Sequence, residues 1–240
     1  MHLIRLLLAS ALICALGAES KVLKVVSESW EGATNEDGTG VYFDVVRAVF
    51  ESEGYTVEFK TMPYARAVSE VEAGKAHLWL GSYEDEVEGI NFPKQEMDID
   101  SVVAVHAKDK AFSGAADLAK ASGVKVAWVR DYGLDGYIDV EMDFKEVNGH
   151  DQGLKMVAAG RIDYFLDAEV EAEPLIEELK LGDKVAMTHL IDLKLLPGFV
   201  KGPEGAALVE IWDRRMPQLH AEGVLKPIYD KYDYAVYPFK

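Results

Sequence analysis

The residues able to do chemistry sit where the regularly spaced runs stop. Asp167 closes the apolar run 162–166. A carboxylate there pairs with a cation or caps the helix that follows, and its chemistry suits both. Arg66 comes just after Pro63 and Tyr64, at the start of a predicted helix. Its guanidinium either forks onto a carboxylate or lies on the surface. Trp30 and Tyr83 each follow a predicted strand. An aromatic face in that place covers a ligand stem or cation, or fills the core. Gly81 and Ser82 offer a backbone and a hydroxyl donor at the same rim.

The familiar catalytic and metal signatures are missing. The six histidines are His2, His77, His106, His150, His189 and His220, and none is paired at zinc-ligand spacing. There is no GxSxG elbow, P-loop or GxGxxG. The cluster Glu84, Asp85, Glu86 and Glu88 has calcium-type ligands but reads as a solvated acidic loop, as does the stretch 139–143. The expectation is a ligand site with no catalytic residue, no metal and no cofactor.

Charge narrows the partners further. With 42 acidic against 25 Lys and Arg residues in 240, the formal net charge is -17. Such a chain lacks the basic surface that nucleic acid or an anionic membrane requires. Residues 1–18 read MHLIRLLLASALICALGA: Arg5, then a short apolar run, then small residues. That is the layout of a secretory signal peptide, too short for a membrane span. The only cysteine, Cys14, lies in it. The mature protein is expected to be exported, soluble and without disulfides.

Elements of alternating type must hold these residues. Strands are predicted over 22–29, 56–62, 76–80 and 101–107 from their β-branched, alternating or continuous apolar runs. Helices are predicted over 44–52, where Val45, Val46, Val49 and Phe50 recur at helical spacing, and from Pro63 to Gly74. The pattern then repeats. A short helix at 115–121 precedes strands at 125–129 and 144–147, a helix at 151–159, a strand at 162–166, a helix at 170–179 and a strand at 184–188. The segment 193–200 is extended again, with Pro197 marking an edge or crossover. Helices over 204–221, where Pro217 should kink the helix or shift its end, and around 224–232 finish the chain. Two β-α-β-α-β units imply parallel sheets with helices on their faces, and two lobes around a cleft.

Five segments, in order, resemble the extracellular solute-binding proteins of family 3, the receptors of polar amino-acid ABC transporters. They are DGTGVYFDVVRAVFESEGYTVEF, MPYARAVSEVEAGKAHLWLGSY, ADLAKASGVKVAWVRDYG, GHDQGLKMVAAGRIDYFLDAEVEA and PEGAALVEIWDRRMPQLHAEGVLKPIYDKY. Together they cover nearly all of the mature chain. The resemblance implies an α/β, type II periplasmic-binding-protein clamshell. Residues 21–107 plus 201–240 would form one lobe, and 108–200, including the crossover strands, the other. It also implies that Asp167 holds a ligand ammonium and that Trp30, Tyr64, Gly81, Ser82 and Tyr83 face the cleft. Asp131 and Tyr132 occupy the family's anion-binding loop at a helix start, with Asp131 where glycine is usual. The family's Thr-x-x-Arg, whose arginine forks onto an α-carboxylate, has no counterpart: the stretch from Ser82 to Gly89 contains no arginine, and an ungapped reading places Glu88 there. Either Arg66 or Arg130 supplies a relocated anion contact, or the ligand is cationic or otherwise atypical.

The expected function is capture of a small polar solute by a monomer for an inner-membrane ABC permease. Two alternatives stand beside it: a ligand-reporting partner of a membrane sensor, and a cyclohexadienyl or arogenate dehydratase-like enzyme on the same fold. The enzyme would need a general acid in the cleft.

Overall fold

The structure is a computed structural model that describes residues 21–232 and 236–239. The predicted signal peptide and Cys14 lie outside the described residues. The elements run in order β1 (Lys21–Ser27), α1 (Val41–Phe50), β2 (Tyr55–Thr61), α2 (Tyr64–Glu72), β3 (Leu78–Ser82), β4 (Asp98–Ala107), β5 (Val126–Val129) and β6 (Phe144–Val147). They continue with α3 (His150–Ala158), β7 (Tyr164–Ala168), α4 (Glu169–Glu178), β8 (Val185–Phe199), α5 (Pro203–Ala221) and α6 (Leu225–Tyr232).

The eight strands form one curled sheet in the order β2-β1-β3-β8-β4-β7-β5-β6. The β-α-β units produce two parallel blocks: β1 lies parallel to β2 and β3, and β5 parallel to β6 and β7. Between the blocks β4 and β8 run antiparallel to their neighbours. The predicted strands at 184–188 and 193–200 are one strand, because residues 189–192 keep pairing with β4 across a register shift at Val102 and Val103. Beyond Leu195, β8 changes partner and pairs with β3 through Leu196, Gly198 and Phe199. Pro197, which has no N–H to donate, stands at that change.

Other boundaries differ from expectation, and β4 begins at Asp98, three residues before its predicted start. Helix α1 begins at Val41, three residues early. The backbone of Gly40 (φ 130°) turns directly into it, and a Cβ there would lie 2.1 Å from the Ala33 carbonyl oxygen. The predicted helix at 115–121 is two short 3-10 turns, Ala115–Leu118 and Lys120–Ser122, split by extended Ala119. There the Lys120 N–H is drawn off to the Glu141 carbonyl at 2.7 Å. Helix α5 ends at Ala221 as the sequence predicts, and Pro217 does not shift that end.

One large apolar core packs around Phe43, Phe50, Trp79, Phe199 and Trp212, with α1, α5 and α6 against the β1-β2-β3 block. A smaller core, Val103, Val105, Ala127, Leu154 and Phe165 among others, lies beneath α3 and α4. Burial of this area is the main stabilising term. Among the described residues no helix is long and apolar enough to cross a membrane.

Candidate functional site

Where the two sheet blocks meet, a cavity holds about 630 Å³ of empty space, part of it open to solvent. That size suits a small solute. From the β1-β2-β3 side come Trp30, Tyr42, Tyr64, Gly81 and Tyr83; from the other side Tyr132, Ala168, Val170 and Glu171; from β4, Asp98 and Asp100. Five aromatic rings and three carboxyl groups thus face the space, and among the described residues no lysine, arginine or histidine does.

Each side chain is set by its element. Trp30 follows β1 in a turn held by its own N–H to Thr34 Oγ1 (3.1 Å) and by the Thr34 hydroxyl to the Glu28 carbonyl (2.6 Å). Its ring is laid directly over Gly81, whose φ is 80°. A Cβ on residue 81 would come within 2.5 Å of the indole, so only glycine admits both the backbone and the ring. Tyr64 opens α2 after Pro63. The indole Nε1–H of Trp79 donates to Tyr64 Oη (3.2 Å), which donates in turn to Glu86 Oε2 (2.7 Å). Glu86 also accepts from the Tyr83 N–H (3.1 Å). Burial pushes its carboxyl up to about 7, against the pull of these donors. The acidic loop is therefore not wholly solvated: Glu84, Asp85 and Glu88 are exposed, while Glu86 turns inward.

Asp98 and Asp100 are two apart on β4 and so share one face of the strand. Asp98 accepts from Tyr42 Oη (2.6 Å) and from the N–H groups of Ile99 and Val236 (2.7 Å each). Asp100, only 8% exposed, accepts from Tyr83 Oη through Oδ2 at 2.6 Å. Burial raises Asp98 to about 6 and Asp100 to about 7.

Tyr132 follows β5. Its ring meets that of Tyr64 edge-on at 5.8 Å across the cleft, and its hydroxyl is 3.5 Å from His150 Nε2. Behind it, His150 Nδ1 lies 2.9 Å from both carboxylate oxygens of Asp167, which is fully buried. Burial disfavours the imidazole's charge, but the hydrogen bond and charge of Asp167 outweigh it, and the imidazole rises to about 9. Burial also raises the Asp167 carboxyl, against the hydrogen bond and charge of His150, so the two groups hold a proton between them.

The structure thus brings Trp30, Tyr64, Gly81, Tyr83 and Tyr132 to one cavity. Asp167 reaches it only through His150 and Tyr132. Its remaining bond is from the N–H of Ala168 (3.0 Å), so it is not the side-chain cap of α4. Ser82 is buried, with its hydroxyl donated to the Leu196 carbonyl (2.7 Å). Arg66 is 62% exposed and pairs loosely with Glu70, and Arg130 is exposed. Asp131 has a φ of 64°, the left-handed backbone glycine favours. Its N–H donates to Glu146 Oε1 (3.0 Å), so a carboxylate of the chain itself takes the place of an anion there. Sequence reasoning missed Tyr42, Asp98, Asp100 and Glu171. The alternation of Asp98 and Asp100 around Ile99 ahead of an apolar strand was a signal for two of them.

Neither a family model nor a curated protein sequence matches the chain. Solved structures do. A histidine kinase sensor domain with similarity to periplasmic binding proteins aligns over 90% of this chain and 98% of its own, at 22% identity and a TM-score of 0.71. A substrate-binding protein of an ABC uptake transporter from Streptococcus pneumoniae, with bound histidine, aligns over 90% and 94% at 18% identity and 0.65. An ancestral amino acid-binding protein, a precursor of cyclohexadienyl dehydratase, aligns over 88% and 95% at 17% and 0.64. With its curled sheet, its two blocks and the cavity between them, this chain has the two-lobed α/β fold of the periplasmic binding proteins.

Proposed function

We propose that the protein is an exported, monomeric solute-binding protein of the family 3 type. Residues 21–107 plus 201–240 form one lobe and 108–200 the other. It takes a small polar solute between them and hands it to an inner-membrane ABC permease. Residues 1–18 serve as the signal peptide that directs it to the periplasm. The observation that carries this reading is the cavity itself, enclosed by side chains from both sides of the β4-β8 crossover. A ligand there favours the closed arrangement, the usual response of two-lobed binders.

The similarity to a histidine kinase sensor domain supports a second partner, a membrane sensor that reads the closed form. An enzymatic role is the weaker reading. Asp100, at about 7, has the proton affinity of a general acid. However, prephenate is a dicarboxylate, and among the described residues the cavity offers it three carboxyl groups and no cationic side chain.

A thermal-shift screen of amino acids, amines, oligopeptides, sugars and organic acids tests the proposal. A true ligand at a thousandfold excess over its Kd stabilises by about 4 kcal/mol. No shift with any class, together with turnover of prephenate or arogenate, would replace binding with catalysis.

A further inference from the structure

We infer that the solute is an organic cation without a carboxylate: a primary or methylated ammonium on a short apolar stem, its charge set against Asp100. The inference rests on the reading of the protein as a solute-binding protein and names the class of ligand.

Four observations carry it. The cavity lining contains Asp98, Asp100 and Glu171 and, among the described residues, no basic side chain. An α-carboxylate placed there would be desolvated beside like charges with no donor of opposite sign. The nearest imidazolium, His150, already has Asp167 on its Nδ1. The backbone N–H of Asp131 is taken by Glu146. Second, Asp100 is nine-tenths buried, lines the cavity and has one donor among the described residues, Tyr83, on Oδ2. Its Oδ1 is left for a donor that the ligand would bring. Third, the rings of Trp30, Tyr64, Tyr83 and Tyr132 stand around the same space, and aromatic faces attract a cation and pack on its stem. Fourth, among the described residues no three His, Cys, Asp or Glu side chains converge as a metal ion would need, whereas the surrounding rings suit an organic head group.

Binding then exchanges charge for charge. Tyr83 is hydrogen-bonded to Asp100, the charges of Asp167, Asp98 and Glu171 bear on it, and burial holds its carboxyl near 7. The empty site is therefore partly protonated at neutral pH. An entering ammonium displaces that proton to solvent, so affinity rises with pH by up to about tenfold per unit below pH 7.

Calorimetry on the full chain with matched pairs tests this: isopentylamine against L-leucine, cadaverine against L-lysine, agmatine against L-arginine, and choline against glycine betaine. The member lacking the carboxylate is expected to bind at least about tenfold tighter in the pairs that bind, and more tightly at pH 7.5 than at pH 5.5. Preference among the amines and choline identifies the head group. Asp100→Asn should weaken binding at least about 30-fold with little change in Tm. Glu171→Gln, on a half-buried helix residue, gives a second reading should Asp100→Asn fold poorly. Glu58→Gln, exposed on the edge strand β2, should change nothing. If the amino acids bind as tightly as their amines, or only sugars or organic acids bind, the inference falls while the solute-binding reading stands. Silence from every class counts against that reading itself.

Discussion

Removing the carboxylate from the His150–Asp167 pair should cost stability in a way that depends on pH. In the folded protein the imidazole is raised from 6.5 to about 9, with its side chain only 17% exposed. At 1.36 kcal/mol per pKa unit, a rise of that size corresponds to about 3 kcal/mol of preference for the charged ring. Because the folded value lies above the unfolded one, this contribution is fully present below pH 6.5. It is lost as pH rises through about 9. In Asp167→Asn the buried ring loses its hydrogen-bonded counter-charge and keeps only the weaker pull of Glu171 and Glu28, so its proton affinity should fall toward 6.5. Urea unfolding of both proteins from pH 6 to pH 10 reads the difference directly. The gap should be largest near pH 6.5 and shrink by about 3 kcal/mol toward pH 10. An NMR titration of the His150 ring gives the same quantity independently. A wild-type ring that titrates at 6.5 or below, or a gap that does not change with pH, would refute the ion pair. The sequence pointed instead to Asp167 as a ligand contact. The geometry makes its first effect one on the fold.

Gly81→Ala combines a left-handed backbone with a clash against Trp30. It should cost about 1–3 kcal/mol, a drop in Tm of roughly 2–4 °C for each, and displace the indole from the cavity; an unchanged Tm and tryptophan emission would contradict this. The double variant Arg66→Ala, Arg130→Ala should alter solute affinity by less than about twofold, since exposed charges contribute little; a tenfold loss would bring an arginine back to the site. Tyr137 Oη donates to the Glu84 carbonyl across the cleft at 3.0 Å. Its loss in Tyr137→Phe should weaken the closed arrangement by about 1 kcal/mol, seen as a larger radius in small-angle scattering without ligand, and a radius equal to wild type would show that this bond does not hold the cleft.

The chemistry of the site was less legible than its frame. The parallel blocks follow from alternating runs and helical spacing, and Trp30, Tyr64, Gly81, Tyr83 and Tyr132 stood out because each comes where an element begins or ends. Asp98 and Asp100 did not. They lie where β4 was expected to be loop, and only pairing with Leu195 and Leu193 of β8, nearly a hundred residues away, extends the strand over them. Glu86 could not be told from Glu84, Asp85 and Glu88, because what turns it inward is a tyrosine on another element. The role of Asp167 changed for the same reason: its partner His150 is 17 residues distant in sequence and carries no motif. Local periodicity specifies elements, whereas the protonation of a carboxyl is decided by what the fold places beside it.

The path of the chain also sets an order of assembly. The block β4, β5, β6 and β7 with most of β8 is built from continuous chain ending at Leu195. The other block is interrupted. Its sheet is completed by the last residues of β8, Phe50 packs against Trp212 at 6.3 Å between ring centres, and the Met97 carbonyl receives the hydroxyl of Tyr229. As the chain emerges from its N-terminus, the apolar face of α1 is made early but finds its cover only when α5 and α6 arrive. The inner unit can therefore condense while the outer one is still open. Anything that delays or truncates the segment from Pro203 onward leaves exposed the face that was synthesised first.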